Sequence, residues 1–268
     1  MGKRTLMHKL KILFISSSIV FAVLLTIWMM QPSTETVIQH PITEVADEPV
    51  PDFSVYTDVT EKKKAFFSYL RPEVEAQNQF ILKQREFIHA IRAKHISNEA
   101  ISQDQHKELT FLMQEYRVKP NKNLELVFIE LLSKVDAVPV ELVLVQTANE
   151  SAWGTSRFAR NGYNFFGLWC FNKGCGFVPR RRNDGAAHEV AKFNNLSTAM
   201  YSYMRNLNRH AAYKDLRNIR KTQRSNMKQV TAMALTEGLH KYSERGDEYI
   251  NELQQMIRVN RELMNDEV

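Results

Sequence analysis

Cysteine is scarce in this chain, with two among 268 residues. That excludes a disulfide-dense small scaffold and any zinc site made of cysteines alone. Glycine and proline are also few, at nine and eight, which argues against a many-turned all-β architecture. The chain has no HExxH and no closely spaced set of histidines and acids. No metal site and no cofactor are therefore expected. Long apolar runs are missing, with one exception. Residues 12–30, ILFISSSIVFAVLLTIWMM, hold 19 positions without a charge.

A run of that length can span a bilayer as a helix. Lys3, Arg4, Lys9 and Lys11 stand before it and should remain in the cytoplasm, so the rest of the chain faces outward. A cleaved signal peptide is the alternative, but its apolar region is usually shorter and ends in small residues. Here the run ends Trp28-Met29-Met30-Gln31-Pro32. The expectation is an uncleaved, single-pass inner-membrane anchor with a periplasmic domain. Residues 31–61 lack Lys and Arg and carry seven acids and four prolines. Residues 31–59 therefore read as an acidic linker beyond the basic tip and anchor of 1–30. From 157 to 228 the balance reverses, with 15 Lys or Arg against three acids. Such a stretch suggests an anionic partner, either phospholipid headgroups or a wall polymer, and export argues against nucleic acid.

Apolar spacing beyond residue 60 is mostly helical. Leu70, Val74, Ile81, Ile88 and Ile91 repeat at threes, fours and sevens, which predicts a long helix starting at Pro72. Further stripes follow at Leu109–Tyr116, Leu124–Leu132, Met200–Leu207, Val230–Ala234 and Tyr249–Ile257. The segment from Pro139 to Asn149 is nearly apolar, the mark of a central helix. Phe177 and Val178 face Val190 and Phe193 across Asn183-Asp184-Gly185, a hairpin signal. The fold expected is mainly α, a helical domain with a small β-hairpin lobe. It divides into a helical subdomain at 60–134 and a catalytic domain at 135–264.

Cys170 and Cys175 enclose four residues. An exported pair this close reads as a local disulfide, in preference to a nucleophilic thiol with a histidine partner. Glu150 ends the apolar helix and precedes Ser-Ala-Trp153-Gly154. A carboxylate beside indole and aliphatic groups loses hydration, which raises its pKa and suits it to general-acid work. A solvated glutamate at a helix end is the ordinary alternative.

Gln146-Thr-Ala-Asn-Glu150-Ser-Ala-Trp-Gly154, then Asn161-Gly-Tyr-Asn-Phe-Phe-Gly167, resembles the core of the family-73 glycoside hydrolases. These are bacterial endo-β-N-acetylglucosaminidases with a lysozyme-like fold. The likeness continues through Ala191-Lys-Phe193, Ala199-Met-Tyr-Ser-Tyr203, Leu239-His-Lys-Tyr242 and Tyr249, covering about residues 135–260 in order. It implies peptidoglycan glycan strands as substrate. It matches Glu150 to the catalytic acid and Tyr242 to a tyrosine near the substrate acetamido group. It also places Trp169, Phe166 and Asn164 against the glycan. A core role is the alternative for Tyr242, Trp169 and Phe166. For the second carboxylate the hairpin offers Asp184 and Glu189. If neither serves, the substrate acetamido group can assist. A lytic transglycosylase and a non-catalytic wall-binding module are the competing readings.

Overall fold

The computed structural model describes residues 47–179 and 188–265, all of them within one unit, Ile38–Val268. The apolar run at 12–30, most of the linker and the hairpin tip with Asp184 lie outside the described residues. Among the described residues no helix is long and apolar enough to cross a membrane.

Helix α1 (Val59–Ile96) starts where Asp58 accepts a hydrogen bond from the Glu61 amide at 2.8 Å. This corrects the expected start, since Pro72 lies inside the helix. An internal proline removes one backbone bond and typically costs about 3 kcal/mol. Burial on both sides of it offsets that loss. Phe66, Phe67 and Leu70 are buried before it, and Val74, Ile81, Ile88 and Ile91 after it. Helices α2 (Gln103–Glu115) and α3 (Leu124–Lys134) follow. The first of these opens with a capping box of Ser102 and Gln105.

Helix α4 (Val140–Ser151) is the central one. Leu142, Val143, Leu144 and Val145 are all buried. A short α5 (Arg157–Gly162) leads to the small lobe, β1 (Trp169–Cys170), β2 (Gly176–Phe177) and β3 (Glu189–Ala191). The lobe is more than the expected hairpin. Strand β3 is central and antiparallel to both others, with Cys170 opposite Glu189 and Phe177 opposite Val190. Then come α6 (Leu196–Arg209), α7 (Lys214–Ser225), α8 (Ala232–Thr236) and α9 (Asp247–Asn265). Helix α4 packs against α1, α8 and α9.

One continuous core runs from Phe53 to Met264, through both the 60–134 and 135–264 segments. The end of the segment read as linker also joins it. Phe53 is buried against Phe66 and lies over Gly154, where an added Cβ would come within 2.5 Å of its ring.

Helix α7 has little apolar periodicity and was not expected. Its buried face joins Leu216 to two arginines, Arg217 and Arg220. Arg220 donates to the carbonyls of Lys134, Asp136 and Ala137, and Arg85 to those of Leu132 and Val135. These bonds satisfy carbonyls left open where α3 ends. Asp136 is buried and paired with Arg224 through two 2.6 Å bonds. Burial alone would raise its pKa, but the Arg224 hydrogen bonds and the charges of Arg220 and Arg85 win, and the carboxyl is held below its ordinary value.

Candidate active site

Glu150 sits in the last turn of α4, and the helix stops just beyond it. Ala152, Trp153 and Gly154 all take positive φ, at 50, 58 and 76°. The chain therefore turns away and leaves the carboxylate at an open edge. Trp153 turns toward Phe66 and Phe67, edge-on at 5.6 and 5.4 Å between ring centroids. The aromatic groups gathered around Glu150 are tyrosines.

Four elements supply that cluster. Tyr249 comes from α9, Tyr203 from α6, Tyr242 from the turn after α8, and Tyr213 from the 3-10 turn Ala211–Tyr213. Tyr242 stacks on Tyr249 at 5.5 Å and 6°. Burial raises all four phenol pKa values, and the negative charge of Glu150 adds to each. The Glu150 side chain is exposed to water by area, yet protein atoms crowd the space around it. Hydration sets the pKa, which is raised first by desolvation and further by the nearby Glu252. The Tyr249 hydrogen bond and the charge of Arg245 oppose that shift.

A chain of hydrogen bonds fixes the orientation of the acid. Tyr203 Oη donates to Gln146 Oε1 at 2.5 Å, and Gln146 Nε2 donates to Tyr249 Oη at 3.0 Å. Tyr249 has one proton and donates it to Glu150 Oε1 at 2.9 Å. Oε1 can then only accept, so a proton on the Glu150 carboxyl belongs on Oε2. That oxygen lies beside Gly167, where a built Cβ would be 4.0 Å from it. Glu252 accepts from Asn149 at 3.3 Å and from Arg245 at 2.7 Å.

The other expected site residues divide. Tyr242 is half-buried within the cluster and donates to the Phe166 carbonyl at 3.3 Å. Trp169 is 59% exposed and stacks on His188 at 4.0 Å, open enough for a sugar face. Phe166 is a core residue, buried and stacked on Tyr203 at 4.0 Å and 8°. Asn164 is 2% exposed, with its amide fully used. It donates to the Leu168 and Ala191 carbonyls and accepts from the Phe166 and Leu168 amides. It shapes the loop that carries Gly167 and leaves no atom for substrate.

Cys170 and Cys175 are bonded to each other, with Cα atoms 6.2 Å apart. Glu189 is 5% exposed, and its two oxygens accept from the Gly174 and Gly176 amides at 3.0 and 2.8 Å. Ligand atoms of Cys170, Cys175 and Glu189 lie within 4.8 Å of one another, but the sulfurs are joined and offer no thiolate. Both the disulfide and the carboxylate therefore hold the same loop.

Reading the sequence missed Tyr249, Gln146, Glu252 and Arg245 as site residues. Gln146 did carry a signal. It stands four residues before Glu150 on an apolar helix, hence on the same face, and a buried amide needs partners.

An acid at the end of a buried helix, hydrogen-bonded and crowded by tyrosines beside a small β-lobe, is the arrangement of a glycoside hydrolase. A family model described as mannosyl-glycoprotein endo-beta-N-acetylglucosaminidase matches residues 127–262. The chain belongs to this glucosaminidase family, family 73 of the glycosidases, and is a glycoside hydrolase. It is 32% identical over 219 residues to protein bax of Escherichia coli (strain K12), a match covering 80% of this chain and 76% of that one. No solved structure matches it.

Proposed function

We propose that the chain is a membrane-anchored endo-β-N-acetylglucosaminidase that hydrolyses peptidoglycan glycan strands, with Glu150 as general acid. Residues 12–30 hold it in the inner membrane and the domain works on the periplasmic side. The observation that carries this reading is the fixed chain from Tyr203 through Gln146 and Tyr249 to Glu150.

The chemistry follows from that geometry. Glu150 Oε2 gives its proton to the glycosidic oxygen as the bond from that oxygen to C1 of N-acetylglucosamine breaks. Desolvation raises the pKa of Glu150 and so favours the protonated form before the step. The Tyr249 hydrogen bond stabilises the carboxylate charge that forms during it. The substrate acetamido oxygen then bonds to C1, oriented by Tyr242. Water opens this ring, and the Glu150 carboxylate takes the proton of that water. Acetamido assistance is favoured over Glu189 as a second carboxylate because both Glu189 oxygens are engaged by backbone amides.

Digestion of purified sacculi followed by mass spectrometry tests the reading. Reducing N-acetylglucosamine ends are expected. Anhydromuramyl ends would make the chain a lytic transglycosylase, and no soluble product would make it a binding module.

A further inference from the structure

We infer that α7 and the turn that ends it form a docking surface for an anionic lipid bilayer. The helix carries Lys214, Arg217, Arg220, Lys221 and Arg224 against one acid, Asp215. Its ridge lines two cavities, of about 340 and about 500 Å³, which share Ser133 in their walls. Five basic side chains line each cavity against a single acid, Asp136 in the smaller and Glu130 in the larger. Arg217 and Arg220 turn inward onto backbone carbonyls and fix the helix in place. Lys214, Lys221 and Lys228 are exposed. Among the described residues none pairs with their ammonium groups.

The end of the ridge is apolar. Met227 is 95% exposed, with φ at 52°. This left-handed position after a helix is usually taken by glycine. The turn is nonetheless well made, with the Met227 amide donating to the Arg224 carbonyl at 3.0 Å and the Lys228 amide to that of Gln223 at 2.8 Å. It presents a long, unbranched apolar side chain among lysines. A carboxylate-bearing polymer would use the cations and gain nothing from the methionine. A bilayer uses both, since the thioether enters the acyl boundary while the cations meet headgroup phosphates. Ser133 and Asp136 lie before the start of α4 and Glu150 near its end. The 12 residues of that helix span about 18 Å, which sets the Ser133 and Asp136 end of the ridge apart from the acid.

The proposed anchor brings the chain to the bilayer, and the inference rests on that reading only to that extent. The test uses the full-length chain with Met227→Cys carrying an environment-sensitive fluorophore. The native cysteines are bonded to each other, so the introduced side chain supplies the one free thiol for labelling. The protein is reconstituted in nanodiscs of phosphatidylcholine alone, or with about a third phosphatidylglycerol. A blue shift and quenching by brominated lipid are expected in the anionic discs only. Adding Lys221→Glu and Lys228→Glu should lower the ratio of docked to free protein at least about tenfold. Co-elution with both discs but no shift in the anionic ones would overturn the docking and leave the anchor standing. Equal shifts in both discs would also overturn it. Binding to anionic discs alone would uphold the docking and refute the anchor. Failure to bind either disc would refute both.

Discussion

Tyr249 donates a 2.9 Å hydrogen bond to Glu150, and Gln146 fixes its direction by donating to the same hydroxyl. One oxygen of the carboxyl is thereby reserved as an acceptor, and a proton on the group belongs on the other. The pKa of Glu150 is set by opposing neighbours around this bond. Desolvation and Glu252 raise it, while Tyr249 and Arg245 lower it.

Two substitutions should therefore move the pH profile in opposite directions. Loss of activity at high pH reports deprotonation of the acid in kcat/KM. Tyr249→Phe removes a donor to the carboxylate, so the pKa rises and the descending limb moves to higher pH. Glu252→Gln removes a like charge and frees Arg245, so the pKa falls and the limb moves to lower pH. Profiles of the two variants beside wild type check both signs. The phenylalanine variant also leaves a buried Gln146 donor unpaired, which should destabilise it by about 1–3 kcal/mol.

Asp136→Asn tests the arginine-rich back of the fold. Removing one partner of a buried ion pair typically costs about 3–5 kcal/mol, and Asp136 is paired with Arg224 and lies near Arg85 and Arg220. The native carboxyl titrates below its ordinary range. Its stabilisation is thus complete above the pKa of the unfolded chain and is lost as pH falls through the folded pKa. Urea denaturation at neutral pH should show the full loss in the variant, with the gap to wild type narrowing in acid.

Much of this molecule was legible as pattern. Apolar spacing placed α2, α3, α4, α6 and α9, because each buries an aliphatic stripe. Helix α7 was hidden because Leu216 shares its inward face with Arg217 and Arg220, which read as solvated charges until their carbonyl partners are known. The start of α1 was hidden by Pro72, whose local cost is outweighed by burial that only the tertiary fold supplies. In the site, Glu150 stood out by its place at the end of an apolar helix. Tyr249 read as one residue of an ordinary helix stripe, because its bond to Glu150 joins positions 99 apart. Strand β1 has only two residues and is defined by its pairing with β3, which no local pattern announces.

The loop of the small lobe should respond to Glu189 and to the disulfide alike. Glu189→Gln offers one acceptor where two amides need one each, and reduction opens a short ring worth about 2 kcal/mol. Both should loosen residues 170–176, seen as faster amide exchange there. If the acetamido group assists, the first product keeps the β configuration and Glu189→Gln acts through this loosening alone. Proton NMR of the first-formed anomer checks this, and an initial α product would assign a carboxylate to the water.

The role of Glu150 is tested most directly by Glu150→Gln, assayed as release of reducing ends from purified sacculi. The change keeps the shape and removes the transferable proton. General-acid catalysis contributes about 10²–10⁴-fold, so the rate should fall by at least about 100-fold with thermal stability retained. A folded Glu150→Gln protein that cuts at near wild-type rate would contradict the assignment of Glu150 as the acid.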